Sequence, residues 1–259
     1  MISLNEDERL DEVNDKLRLI QKINGLTFGT DALLLAAFAS RCAPRALELG
    51  GGTGIVSMLL AARNRFAQID CVEIQPAFVS LMERNFEMNE LSSRVFARHA
   101  DIREFPAKAD YGTYDVVFTN PPYMKTASGA ACLSKEKEIA RHEHFGDISD
   151  FARSAAAALR YGGSFYVVYR PDRLTDLLCA LRASHLEPKR ICFVSARAEL
   201  APSMVLIEAK RGGKAGLSVT PPLILTENGK DTTDMEYILT HGIFPPKYER
   251  KTSCQALKK

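Results

Sequence analysis

The residues best suited to chemistry are Asn120-Pro121-Pro122-Tyr123. Proline fixes φ and has no amide proton, so two in a row make a stiff segment that presents carbonyls. The Asn120 side-chain oxygen and the Pro121 carbonyl then stand as two acceptors. Two acceptors match the two hydrogens of a planar amino group, and that pairing aims the nitrogen lone pair at an incoming methyl group. Tyr123 adds a flat face on which a base can stack. No side chain with a tuned pKa is needed, because the amine becomes acidic once it is alkylated. In isolation the same four residues also read as a plain strand-to-loop turn.

A second chemical signal is Glu48-Leu49-Gly50-Gly51-Gly52-Thr53-Gly54. Glycines let a backbone approach a ligand closely, and a following helix offers free amides. The spacing E-x-G-x-G-x-G differs from the G-x-G-x-x-G of dinucleotide sites. An acid before the glycines would repel a pyrophosphate, which argues against a dinucleotide oxidoreductase. It suits a cation, and S-adenosylmethionine carries a positive amino group and a positive sulfonium. Glu73 lies 23 residues after Gly50, where an acid can accept from both hydroxyls of a ribose. Asp101 follows the third strand and can face an adenine amino group. Ile74 and Ile102, which follow these acids, complete the candidate cofactor set with Gly50, Gly52 and Gly54. Each strand-end acid alone also reads as a solvated surface group; together they describe one adenosyl pocket.

These groups need elements to hold them. Residues 1–15 are polar and read as frayed or loosely helical. Asn24-Gly25 between Leu17–Ile20 and Leu26–Phe28 predicts a hairpin. Thr30 or Asp31 then caps an apolar helix to Ser40. Strands are expected at 46–49, 69–73, 95–100, 114–119, 164–169, 191–195 and 204–209. Helices are expected at 53–63, 76–89, 150–160 (closed by Gly162-Gly163), 172–184 and 234–241. This alternation predicts an α/β, Rossmann-like architecture: a mostly parallel seven-stranded sheet with an antiparallel edge strand and helices on both faces. The expected organisation is an extension over 1–44, a core domain over 45–243 with loop-rich 211–234, and a basic flexible tail over 244–259.

The 259 residues are 46% hydrophobic and 25% charged, an ordinary globular composition. The longest apolar run, Ala32–Ala39, is far short of the roughly 18 residues a membrane span needs. The acidic N-terminus has no apolar signal core, so a cytoplasmic protein is expected. Six cysteines without C-x-x-C spacing read as buried free thiols, and no metal is expected. Formal net charge is only +2, but residues 1–15 hold six acids against one base, leaving a basic remainder. That permits a polyanionic partner. Lys125, Arg141, His142, Arg170, Arg197 and Lys210 are the candidate RNA contacts, with Arg173, Lys189, Arg190 and Arg211 as further cations. A solvated surface is the competing reading for all of them. His142 and His144 diverge at i, i+2 on a helix and make a poor metal pair.

Phe28-Gly29-Thr30-Asp31-Ala32-Leu33-Leu34-Leu35-Ala36, the Leu47–Gly54 segment and Asn120–Tyr123 together resemble a known family. They are similar to class I S-adenosylmethionine-dependent amino-methyltransferases with an (Asn/Asp/Ser)-Pro-Pro-(Tyr/Phe/Trp) motif. More narrowly, residues 10–243 resemble the bacterial tRNA1(Val) adenine-37 N6-methyltransferases. The resemblance implies methyl transfer to N6 of an adenine in the anticodon arm of a tRNA, catalysed at Asn120, Pro121, Pro122 and Tyr123. It also implies that Thr30 and Asp31 sit near the methionine end of the cofactor; by residue type alone Asp31 is a helix cap. A monomer is expected, with a dimer left open. The main rivals share the chemistry: glutamine N5-methylation of a release factor and guanine-N2 methylation of rRNA. The release-factor enzymes carry a separate helical N-terminal domain, whereas only 44 residues precede the first core strand here. DNA adenine methylation lacks room for a target-recognition domain, and a non-catalytic RNA-binding module is disfavoured by the intact Asn120 and glycines.

Overall fold

The computed structural model describes residues 4–23, 28–121 and 146–249. Its N-terminal segment is a hairpin, not a frayed or helical stretch: β1 (Glu8–Asn14) pairs antiparallel with β2 (Leu17–Lys22). The turn falls at Asp15-Lys16, where Asn14 Oδ1 accepts from the amides of Lys16 and Leu17 at 2.9 and 3.0 Å. Asn24 and Gly25, where the sequence places the turn, lie outside the described residues. Acidic composition misleads here because the partners are distant in sequence. Glu8 is buried, and both its oxygens accept from Arg84 at 2.9 Å, with Lys22 at 3.3 Å. Burial opposes its charge, but the Asn5 amide, Arg84 and Lys22 outweigh that and hold its carboxyl below the usual range.

The chain then enters α1 (Thr30–Phe38). Its N-cap is Gly29 with no side-chain cap bond, so neither Thr30 nor Asp31 is the expected cap. Strands and helices alternate through β3 (Ala43–Leu49), α2 (Ile55–Ala62), β4 (Phe66–Glu73), α3 (Pro76–Met88), β5 (Val95–His99) and β6 (Tyr114–Thr119). They continue through α4 (Ile148–Ala158), β7 (Leu159–Tyr169), α5 (Leu174–Ala183), β8 (Leu186–Ser195) and β9 (Met204–Arg211). Short strands β10 (Ser218–Val219), β11 (Leu223–Ile224), β12 (Thr226–Glu227) and β13 (Lys230–Asp231) precede α6 (Thr233–His241).

The main sheet runs β10-β8-β9-β7-β6-β3-β4-β5, with β11 also on β8. Pairing is parallel throughout except where β9 joins β7 and β8. The seven long strands are those expected, but the antiparallel strand lies inside the sheet rather than at its edge. β9 slots between β7 and β8, and the loop-rich segment then adds β10 and β11 outside β8. Side chains alternate between two cores. Ala46, Val116, Phe118 and Tyr166 face α1, α2, α3 and α6; Leu47, Val117 and Phe165 face α4 and α5.

Two boundaries differ from expectation. Helix α4 ends at Ala158 and Leu159 turns extended, so Gly162 and Gly163 sit inside β7 at its irregular pairing with β6. Residues 244–249 are not a loose tail: Phe244 and Tyr248 are buried, and Tyr248 donates to Asp234 at 2.7 Å. The rest of the expected tail lies outside the described residues. Of the described cysteines, Cys71 and Cys192 are buried as expected, whereas Cys42 and Cys179 are exposed. No helix among the described residues is long and apolar enough to cross a membrane.

Candidate active site

From β3 the chain moves outward to β4 and β5, then returns to β6 on the other side of β3. The carboxyl ends of β3 and β6 therefore flank the switch point at which open α/β sheets bind ligands. Both motifs sit there, the glycine turn after Leu49 and Asn120 after Thr119. Thr119 Oγ1 donates to the Leu49 carbonyl at 2.8 Å and ties the two loops together.

The glycine turn is held by its own backbone. The amides of Gly50 and Gly51 both donate to the Val72 carbonyl, at 2.8 and 3.0 Å, and Gly54 donates to Gly51 at 2.8 Å. Gly54 needs its type twice over: its φ is +81°, and a Cβ would lie 2.6 Å from the buried Phe86 ring. Gly52 differs, because nothing lies within 4 Å of where its Cβ would be. Its amide donates at 3.0 Å to Glu73 Oε2, while Glu73 Oε1 accepts from Gln75 N at 3.0 Å. A carboxylate has about four acceptor positions, so Glu73 keeps capacity for a diol. Open space over Gly52 beside a fixed strand-end carboxylate fits the ribose and methionine portions of S-adenosylmethionine.

Glu48 does not serve that ligand. It is 2% exposed, and its Oε2 accepts from the Ser57 amide at 3.1 Å, from the Ser57 hydroxyl and from the Cys71 thiol. Burial pushes its carboxyl up to about 7, against the Ser57 and Cys71 hydrogen bonds. The acid is a remote cap for α2, which Gly54 leaves without a side-chain cap. Electrostatic recognition of a cation, the sequence argument for this residue, is therefore corrected.

The remaining cofactor candidates divide. Asp101 follows β5, but its carboxylate is forked onto Arg103, with Nε at 3.0 and 2.9 Å from its two oxygens, which lowers its pKa. Half-buried Ile74 offers its carbonyl to His99 Nε2 at 2.9 Å, and Ile102 is buried in the core beneath α4. Thr30 is exposed at the start of α1.

Asp31 joins the other motif. Its Oδ2 accepts from Asn120 Nδ2 at 3.0 Å, across 89 residues of sequence, while Oδ1 accepts from Ala32 N at 2.9 Å. The Asn120 Oδ1 atom is buried and has no partner among the described residues. Pro121 is buried beside it. Pro122, Tyr123, Lys125, Arg141 and His142 lie outside the described residues.

The candidate RNA contacts do not share one face. Arg170 and Arg197 follow the carboxyl ends of β7 and β8, on the side of the site, and pair with Asp172 and Glu199 at 2.6 and 3.2 Å. Lys210 is exposed but pairs in register with Ser164 and Glu187, five residues along β9 from Val205, which faces Tyr169. That places it roughly 17 Å from the carboxyl edge. Arg190 is 0% exposed and Lys189 is buried, so neither is a surface cation. Arg190 donates to Glu208 at 2.9 Å and to the carbonyls of Phe38 and Tyr248 at 2.9 and 3.1 Å, fastening α1 and the C-terminal segment to the sheet.

Asn85 is the residue that sequence reasoning missed. Fully buried on α3, it accepts from Ile20 N at 2.7 Å and donates to the carbonyls of Ile20 and Thr53 at 3.0 Å. It braces the hairpin against the glycine turn. The available signal was an amide on the helix face shared with Leu81, Met82 and Phe86.

Known proteins support the same reading. Residues 24–178 match the family described as methyltransferase small domain. The tRNA1(Val) (adenine(37)-N6)-methyltransferase of Phocaeicola vulgatus is 31% identical over 70% of this chain and 76% of its own. That of Tolumonas auensis is 31% identical over 71% and 76%. Among solved structures, a predicted O-methyltransferase from Agrobacterium tumefaciens shares the fold, with a TM-score of 0.69 and 23% identity over 86% of this chain and all of that one. The chain belongs to the methyltransferase small domain family, among the tRNA1(Val) (adenine(37)-N6)-methyltransferases.

Proposed function

We propose that this chain transfers a methyl group from S-adenosylmethionine to the exocyclic N6 amino group of adenine 37 in tRNA1(Val). The observation that carries the proposal is the buried Asn120 Oδ1, without a partner among the described residues, beside the open glycine turn. A buried acceptor without a partner costs about 1–3 kcal/mol. An adenine amino group fills it, and the Pro121 carbonyl takes the second hydrogen.

S-adenosylmethionine supplies the electrophilic methyl group. The glycine-turn backbone and Glu73 would hold it, with Asp101 at the end of β5 as a further acid on the same side of the sheet. Asn120 and Pro121 fix the amino nitrogen with its lone pair directed at the methyl donor. Orientation of this kind is worth up to roughly 7–11 kcal/mol. Position 37 must leave its stack, at a cost of a few kcal/mol, and stacking on Tyr123 offsets part of that. Arg170 and Arg197 stand on the correct side to meet phosphates of the anticodon arm. The protein acts in the cytoplasm as a monomer.

Tritiated S-adenosylmethionine incubated with the protein and either unmodified total tRNA or a release factor tests this. The expected product is N6-methyladenosine at position 37 of valine tRNA, identified by digestion and mass spectrometry. Label in the release factor, or in N2-methylguanosine of rRNA supplied in parallel, would replace the substrate and keep the amino-methylation chemistry.

A further inference from the structure

The geometry points to Asp31 as a positioning residue that sets which way the Asn120 amide faces. This rests on the amino-methylation reading above. An asparagine amide is nearly symmetric in shape, and its two ends differ only in that one accepts and the other donates. For Asn120 to accept an amino group, the oxygen must face the substrate in every turnover. A flipped amide would present two more donors to a group that is itself a donor. A carboxylate can only accept. The Asp31 Oδ2 atom, 3.0 Å from Asn120 Nδ2, therefore holds the nitrogen end on α1 and leaves Oδ1, which has no partner among the described residues, as the remaining function of the amide.

Asp31 is itself placed from two sides. Its Oδ1 accepts from Ala32 N at 2.9 Å. Gly29 leaves the space: a Cβ there would lie 2.6 Å from Asp31 Oδ1. The Gly29 backbone is extended, at φ −122° and ψ 173°, so alanine fits it without strain. A side chain at this position would thus displace the carboxylate without straining the turn. Gly29, Asp31 and Asn120 form one chain of placement from the helix start to the reacting nitrogen.

Asp31→Asn tests this, because it keeps shape and removes the obligate acceptor. The expected result is a kcat about tenfold to a hundredfold lower at saturating S-adenosylmethionine and tRNA, the range of one hydrogen bond to a charged group. Asn120→Ala combined with Asp31→Asn should be no slower than Asn120→Ala alone, since the second residue acts through the first. Asn120→Asp sets two carboxylates together; adding Asp31→Asn should recover part of its rate by restoring a donor–acceptor pair. The Asn120 side-chain NH2 resonances, assigned by their loss in Asn120→Ala, should shift in Asp31→Asn and in Gly29→Ala. If the Asp31→Asn loss vanishes at saturating S-adenosylmethionine, or multiplies with that of Asn120→Ala, Asp31 serves the cofactor and the proposal falls. The resonance measurement needs no substrate. Shifted resonances in a protein that methylates no tRNA would therefore discard the substrate reading and leave the pairing intact.

Discussion

The two loops at the switch point are built on opposite plans. In the glycine turn the amides of Gly50, Gly51, Gly52 and Gly54 all have acceptors within the protein. In the neighbouring loop the Asn120 oxygen is buried with no partner among the described residues. The first loop is complete without a ligand and serves as a rigid cradle. The second carries an acceptor with no partner among the described residues, which under the proposed function a substrate amino group relieves. A fold tolerates such a group where its relief is useful, and under the proposed function the contrast separates residues that shape the site from one that acts in it.

The largest expected effect falls on the incomplete loop. Asn120→Ala should lower kcat by at least about a hundredfold, the loss of about 2.7 kcal/mol of orientation. The same variant should change the unfolding free energy by no more than about 1 kcal/mol, because removing an unpaired acceptor offsets the loss of the hydrogen bond to Asp31. Methyl-transfer assays and urea denaturation measure the two. A stability loss matching the activity loss would place Asn120 with the cradle.

The cradle should respond the other way. Gly54→Ala adds a positive-φ penalty to a clash with the buried Phe86 ring. It should destabilise the fold by about 3–4 kcal/mol. Gly52→Ala meets only the penalty of φ +54°, since its Cβ enters open space, and should cost about 1 kcal/mol. Its main effect should instead be weaker S-adenosylmethionine binding by calorimetry. Equal denaturation midpoints for the two variants would contradict the difference in their surroundings.

Glu48 sharpens the contrast under the cradle. Its carboxyl is raised from 4.5 to about 7 in the folded protein, mainly by burial. The folded state therefore holds the proton more tightly than the unfolded chain. The resulting stability is fully present below pH 4.5 and is lost as pH rises through 7. The span corresponds to at most about 3 kcal/mol. Glu48→Gln should flatten that part of the profile between pH 5 and 8. An unchanged slope would show that Glu48 does not titrate there.

What could be read in the chain follows the range of the interactions. Strands ending at Leu49, Glu73 and Thr119 announce themselves as apolar runs closed by glycine, proline or an acid. The place of Asn120 was legible because it directly follows the apolar run that ends at Thr119. Glu48 was misread because its direction depends on which face of β3 it occupies and on Ser57, across a turn. The hairpin was misread because Glu8 finds its cation 76 residues away in Arg84. Arg190 looked like a surface cation because its acceptors come from Glu208, Phe38 and Tyr248, which only the folded sheet brings together. The Asp31–Asn120 bond joins two legible motifs whose contact neither motif reveals.

The smallest expected effect separates the two ends of the sheet. A phosphate contact must lie on the side of the carboxyl ends, where Asn120 is. Lys210 is exposed and basic but sits toward the opposite end of β9. Lys210→Ala should change the KM for tRNA by less than about twofold, because long-range attraction fades beyond a Debye length of about 8 Å at physiological salt. Arg170→Ala and Arg197→Ala should each raise it several-fold, the modest worth of one screened phosphate contact. Both arginines already pair with acids two residues away, which limits the gain each can make by turning to RNA. The salt dependence of KM settles the comparison: loss of a true phosphate contact should flatten the slope of log KM against log salt by about one unit. Lys210→Ala should leave that slope unchanged. A flatter slope for Lys210→Ala than for the arginine variants would move the RNA path to the other end of the sheet.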